Sequence, residues 1–441
     1  MKRFLLYCML FLVTVGLFGC AAANDRQDEA APSKPDSFTA QEEEGLADGN
    51  ENNEAPHNLN AQAMDGTHSN QQNSMNQQSK SEQANDGQQA ETSKTEVNDT
   101  PISPRVPDVP LRHDIKGIYV SGYATQEKNF EKLLKLLDDT ELNAMVIDVK
   151  DDSGRITYDS NIPLAGEIGA DEKAKITDVK ALLQKLKDKK IYAIARIVTF
   201  KDPFLAAKKP EYAIHTKKGQ VWRNNKGVSW VDPYIPEVQR YNLEIAKEVA
   251  ALGFDEIQFD YVRFPENGAK LDREAAFRNE NGWTKEQMIA NFVKLAKEEL
   301  HAAGKPVSAD VFGLTTTVNN DMGIGQNWTA ISPYTDFISP MTYPSHYGSG
   351  HYGIKHPDLE PHRLIEEAIK DAQEKNNTLK QQGNTPASIR PWLQDFTATW
   401  VKPHQTYKDK QVKEQIKALK ELGIEQYLLW NANCKYSLKG G

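Results

Sequence analysis

Hydrophobic and polar positions alternate in two different rhythms beyond residue 105. Short apolar runs occupy 116–123 (KGIYVSGY), 143–151 (NAMVIDVKD), 191–200 (IYAIARIVTF), 256–264 (EIQFDYVRF), 306–314 (PVSADVFGL), 336–343 (DFISPMTY), 389–396 (IRPWLQDF) and 426–432 (QYLLWNA). Most are separated by stretches with apolar residues at i, i+3, i+4 and i+7, such as FEKLLKLLDD, VKALLQKLKDK and VQRYNLEIAKEVAALG. Strand and helix repeated in this way predict a closed (β/α)8 barrel over 105–441. The link between the fifth and sixth runs is only weakly helical. An open doubly wound sheet is the competing fold, but YVSGYATQE after the first strand has only one Gly and lacks a phosphate-binding turn.

The preceding residues follow neither rhythm. Residues 1–20 have Lys2 and Arg3 ahead of an apolar run that ends in LFGC, the pattern of an export signal. That ending resembles a bacterial lipobox, which implies acylation of Cys20 and a lipid anchor outside the cytoplasmic membrane. Residues 21–104 are rich in Gln, Asn, Ser, Glu and Asp and hold one aromatic, Phe38. Such a composition buries too little apolar surface to offset its ordering entropy, and the segment reads as a disordered linker.

Charge divides along the same boundaries. The chain of 441 residues carries a net charge of −9, but residues 21–104 hold 16 Asp and Glu against 4 Lys and Arg. The remainder beyond 104 is close to neutral and shows no basic stripe with interleaved aromatics, so no nucleic-acid surface is expected. Of three cysteines, Cys8 lies in the signal and Cys20 would carry lipid, which leaves Cys434 and no intramolecular disulfide. A monomer stabilised by its packed core is expected.

Barrel sites form at the carboxyl ends of the strands. There the chain places Tyr119, Ser121 and Tyr123; Asp148, Lys150, Asp151 and Asp152; Arg196, Lys201 and Asp202; Asp260, Tyr261 and Arg263; Asp310; Met341, Tyr343 and His346; Trp392, Gln394 and Asp395; Trp430 and Asn431. Carboxylates, phenols and indoles on one rim suit carbohydrate chemistry, in which two carboxyl groups flank the scissile bond. The stretch GFDEIQFDYVRFPENG puts Asp260 and Arg263 where a buried strand should end. Asp260 is therefore the expected nucleophile or ionised carboxylate, with Arg263 or Arg196 as its supporting charge. Asp310, on the adjacent strand, is the expected general acid/base, with Asp395 as the competing partner. Asp148 and Asp151 are expected to hold substrate hydroxyls or salt bridges. Tyr261 and Tyr343 would line a subsite, and Trp392 and Trp430 would serve as sugar platforms. The polar insertion 201–225 is expected to lie over the rim as a flap or hairpin, with Trp222 and Arg223 able to touch substrate, and Asp232 to cap a helix or turn.

The run GVSWVDPYIPEVQRYNLEIAKEVAALGFDEIQFDYVRFP, with KGIYVSGY and NAMVIDVKDDSG, resembles a family of bacterial glycoside-hydrolase-like barrels first catalogued as a domain of unknown function. The resemblance covers about 112–435 and implies a barrel, a hydrolase of glycosidic bonds and an acidic residue at Asp260. A polysaccharide substrate and no cofactor follow from it. Two rivals stay open. A barrel that binds polysaccharide without cleaving it needs the aromatic rim but no carboxylate pair. A metal-dependent deacetylase needs converging His and Asp ligands, and His346, His351, His356 and His362 are spaced by five, five and six residues, unlike a standard zinc motif.

Overall fold

The computed structural model describes residues 108–440. The export segment 1–20 with Cys20 and the linker 21–104 lie outside the described residues. Eight parallel strands close on themselves: β1 Lys116–Val120, β2 Ala144–Lys150, β3 Tyr192–Val198, β4 Glu256–Asp260, β5 Val307–Phe312, β6 Phe337–Met341, β7 Trp392–Gln394 and β8 Tyr427–Trp430. Closure is made by β8 against β1, with Lys116 opposite Tyr427, and by β7, which reaches both β8 and β6 through Trp392. A short strand, Ser388–Ile389, starts the β6 pairing. Pro391 then interrupts it, since proline has no N–H to give the ladder.

Period-two alternation decides which side chains meet the helices and which fill the lumen. In β2, Met145, Ile147 and Val149 join the large outer core, whereas Ala144 and Val146 join the inner cluster with Tyr119, Ile194, Trp392, Leu428 and Trp430. The inner face of β4 departs from this apolar rule, because Glu256, Gln258 and Asp260 are all buried there. A buried charge is tolerable only when paired and fully hydrogen-bonded. Glu256 meets that condition with Arg390, with Ser308 Oγ at 2.6 Å, and with the Arg390 guanidinium stacked 4.1 Å from the Phe337 ring centre.

The helices that link successive strands are α1 Glu127–Asp139, α2 Val179–Asp188, α3 Pro236–Leu252, α4 Lys285–Ala302, α5 Trp328–Ile331, α6 Pro361–Gln381 and α7 Asp409–Glu421, and shorter helices at Pro163–Ile168, Pro203–Lys208 and Gly268–Glu274 lie in the loops after β2, β3 and β4. Local sequence sets their ends. Thr284 and Gln287 form a reciprocal capping box at the start of α4, and Gly253, at φ 116°, closes α3 in a conformation costly for other residues. The weak fifth connection contains α5, four residues long. No eighth helix follows β8 among the described residues. The tail instead runs back over the barrel end, where Ser437 N donates to Asp395 Oδ2 at 2.8 Å and Lys439 N to Asp409 Oδ1 at 2.8 Å.

The insertion after β3 is a braced hairpin, one of the two forms expected of it. His215–Thr216 pairs antiparallel with Ala275–Ala276, and bridges join Ala213 to Val231 and Arg223 to Ser229. Trp222 is buried, with its Nε1 donating to Glu274 Oε2 at 3.0 Å, which fixes it against the β4–α4 loop. Asp232 accepts from Tyr234 N at 3.1 Å and from Arg278 N at 2.8 Å, so it is a loop carboxylate as expected, but one that also ties two loops together.

Candidate active site

The last residues of the strands and the loops that follow them form the rim. Three carboxylates there share one guanidinium. Arg196, 1 % exposed, projects from β3 and donates from Nε and Nη2 to Asp260 Oδ2 at 2.9 and 2.5 Å. Its Nη1 reaches Asp148 Oδ1 at 2.7 Å and Asp152 Oδ2 at 3.5 Å. Tyr119 OH donates to the other oxygen of Asp148 at 2.6 Å. Burial nevertheless outweighs Arg196 and pushes the Asp148 carboxyl up to about 7. Asp152 moves in the same direction for the same reason.

Asp260 is held from both sides. Arg196 occupies Oδ2, and the N–H of Tyr261 donates to Oδ1 at 2.6 Å. That last contact requires an unusual backbone: Tyr261 has φ 47°, a left-handed conformation that costs energy in a residue with a bulky side chain. The strain sits beside the carboxylate whose orientation it fixes.

One register step beyond the Phe259–Ala309 pair, Asp260 and Asp310 face inward from adjacent strands. Neighbouring strands lie about 4.8 Å apart, so the two carboxyls feel each other strongly. Asp310 is 1 % exposed and accepts from Trp392 Nε1 at 2.8 Å. Burial first, and the charge of Asp260 second, hold its carboxyl well above the usual range and keep it protonated.

A cavity of about 200 Å³ opens beside this pair. Asp260, Tyr261, Arg263 and Glu266 from the β4 end line it, with Phe312, Gly313 and Leu314 after β5, and Met341, Tyr343, His346, Tyr347 and Gly348 after β6. Gly313 is small out of necessity, because a Cβ there would lie 2.4 Å from Tyr347 Oη and 2.5 Å from the Met341 carbonyl. Asp310 is not itself in the lining; the residues that follow it on β5 are.

Arg263 does not carry the role expected for it beside Asp260. Its Nη2 pairs with Glu266 Oε1 at 2.6 Å, and its guanidinium lies 4.5 to 5.0 Å from the ring centres of Phe312, Tyr261 and Trp230. Arg196 supplies the charge on Asp260. Lys201, buried near Arg263, has its ammonium 3.4 Å from Asp152 Oδ1 and 3.4 Å from Tyr261 Oη, and burial with the Arg263 charge lowers it to about 7.

Trp392 and Trp430 are too deep to be platforms in this structure. Trp392, 1 % exposed, serves Asp310 as a hydrogen-bond donor, and Trp430 packs 4.3 Å from Tyr119 and 5.4 Å from the Arg196 guanidinium. Asp395 lies against the C-terminal tail and outside the cavity lining, where burial raises its carboxyl to about 6. Asp151 is a turn residue that accepts from Ser153 N at 3.0 Å and Arg155 N at 3.2 Å. Tyr261 and Tyr343 do line the cavity. No role was expected for Asp152, Glu266, Phe312 or Tyr347, although Asp152 stands among the strand-end residues, Glu266 follows FDYVRFP directly and Phe312 lies in the fifth apolar run. Among the described residues no group of three or more His, Cys, Asp or Glu side chains is placed to hold a metal ion.

A closed (β/α)8 barrel with a carboxylate pair and an aromatic-walled cavity at its strand ends is the architecture of glycoside hydrolase barrels. The chain belongs to the family described as "Putative glycosyl hydrolase domain", whose model matches residues 117–436. Among solved structures it is similar to the glycoside hydrolase domain of PgaB (BpsB) from Bordetella bronchiseptica, 14% identical over 72% of this chain and 94% of that one, with a TM-score of 0.50, which shows the shared fold. It is also similar to a hypothetical protein from Ruminiclostridium thermocellum, 38% identical over 47% of this chain and 98% of that one, with a TM-score of 0.40. No curated protein matches it.

Proposed function

We propose that this protein hydrolyses glycosidic bonds of a polysaccharide by a two-carboxylate mechanism. One observation carries the reading: Asp260 and Asp310 stand on adjacent strands, Asp260 among converging hydrogen-bond donors and Asp310 buried with its carboxyl raised. Donors converge on Asp260, which suits an anion, while burial keeps the proton on Asp310. Two interacting carboxyls driven apart in this way divide into an acid and a base or nucleophile. In the proposed cycle Asp310 gives its proton to the departing glycosidic oxygen, and Asp260 either attacks the sugar carbon or activates water at it. Arg196 is a positioning residue that fixes Asp260. The apolar wall of Phe312, Met341 and Tyr343 offers packing for a sugar ring.

The test is to incubate the protein and its Asp260→Asn variant with wall polymers, exopolysaccharides and plant glycans, and to record released oligosaccharides and binding. Products from the parent protein, with a loss of about a thousandfold or more in the variant, are expected. Equal turnover in both would remove Asp260 from the mechanism. Binding by both with no products from either would make the barrel a non-catalytic receptor.

A further inference from the structure

The connection from β7 to α7, residues 395–408, carries aromatic side chains that the proposed mechanism does not use. Phe396 meets the cavity wall edge-on, 5.6 Å from Tyr343 at 76° and 6.2 Å from His346 at 87°. Trp400 continues outward from it, its ring 6.1 Å from Phe396 and nearly parallel at 15°. Both are half-buried, so each keeps surface toward solvent, while Thr399, Lys402 and Pro403 around them are exposed. An aromatic row thus leads out of the cavity along the rim.

The loop that presents Trp400 is fixed in place before any ligand arrives. Lys402 Nζ donates to the Thr399 carbonyl at 2.9 Å, and Val401 N to the Ala398 carbonyl at 3.2 Å. Gln405 donates from its backbone N to Asp358 Oδ2 at 2.9 Å and from Nε2 to the Asp358 carbonyl at 2.6 Å, where Tyr407 OH also donates at 3.1 Å. Asp358, 1 % exposed, belongs to the connection before α6, so two rim loops are locked together. A rigid flat apolar surface loses little entropy when a ligand covers it, the condition under which tryptophan is an effective contact.

We infer that the Phe396–Trp400 row is a second carbohydrate subsite, which receives the sugar units joined to the one held in the cavity. The occupant is a glycan chain: the C–H faces of pyranose rings are apolar and pack on aromatic planes, while their hydroxyls stay in water. Continuity with the cavity wall through Tyr343 sets where the chain leaves. Trp400 is then a specificity-determining residue for chain length. The inference rests on the glycoside hydrolase reading and extends it.

The experiment uses graded oligosaccharides, dimer to octamer, of chitin, cellulose, xylan and galactan. Affinity is measured by calorimetry, and kcat/KM by product analysis, for the parent protein and for Trp400→Ala, Trp400→Leu and Trp400→Tyr. In the parent, affinity and kcat/KM should rise with chain length. Trp400→Ala and Trp400→Leu should lose about tenfold on the longest members of the active series and nothing on the dimer, and Trp400→Tyr should restore most of that loss. If Trp400→Ala does not fold, the contrast between Leu and Tyr decides. A parent that cleaves but whose variants keep its length dependence overturns the subsite alone. A parent that neither binds nor cleaves any member overturns both the subsite and the hydrolase reading.

Discussion

At the residue scale, function depends on what surrounds each carboxyl more than on its place in the chain. Asp310 is held protonated by burial and by Asp260, and the indole N–H of Trp392 opposes this by favouring the anion. Replacing Trp392 with Phe removes that donor and should raise the proton affinity of Asp310 further. An acid works only while protonated, so the alkaline limb of the pH profile of kcat/KM should move to higher pH in Trp392→Phe. An unmoved or lowered limb would show that Asp310 is not the acid. The sequence made Asp260 and Asp310 visible because each is a carboxylate set within an apolar run. It could not show that Trp392 is a donor inside the barrel: an indole at a strand end reads the same whether its ring faces solvent or a buried carboxyl. Arg196 and Arg263 were likewise both visible, but which one reaches Asp260 depends on side-chain paths across neighbouring strands.

At the element scale, the inner face of β4 departs from the apolar run expected of a buried strand. Glu256 is enclosed with Arg390 and Ser308 at the opposite end of the strand from Asp260. Removing one partner of a buried pair leaves an uncompensated charge, at a cost of about 3–5 kcal/mol. Glu256→Gln should therefore lower the free energy of unfolding by an amount in that range, read as a lower chemical-denaturation midpoint, while leaving glycan affinity intact. A loss of affinity with unchanged stability would mean that the pair communicates with the site. The rhythm of the sequence located all eight strands but overran their carboxyl ends, since apolar or aromatic residues such as Tyr123, Phe200, Phe264, Leu314 and Tyr343 recur within a few positions of the ends. Of those extra residues, Tyr261, Arg263, Gly313, Leu314 and Tyr343 line the cavity. The insertion after β3 read as a flap or a hairpin because it is polar, and the bracing that makes it a hairpin comes from Ala275–Ala276, some sixty residues away.

At the scale of the whole molecule, several carboxyls are buried together and leave a pH signature. Asp148 is raised to about 7 and Asp395 to about 6. The folded protein keeps these protons after the unfolded chain has released its own, so their stabilising contribution is complete below about pH 4 and is lost as pH rises through 6 to 7. Lys201, lowered to about 7, acts in the opposite sense between about 7 and 10, where the unfolded chain binds the proton. The urea midpoint should fall from pH 5 to pH 7, and Asp148→Asn should flatten that fall. A midpoint that rises over the interval would mean that Arg196 keeps Asp148 ionised. The sequence by itself determined the barrel, the near-neutral charge of its domain and the rim on which the chemistry sits, because hydrophobic period and strand-end polarity are local properties. Only the tertiary structure decided that Arg196 serves three carboxylates, that Trp392 and Trp430 are interior, and that Phe396 and Trp400 stack beside Tyr343 of the cavity wall. Those are pairings between residues far apart in the chain, set by the register and closure of eight strands.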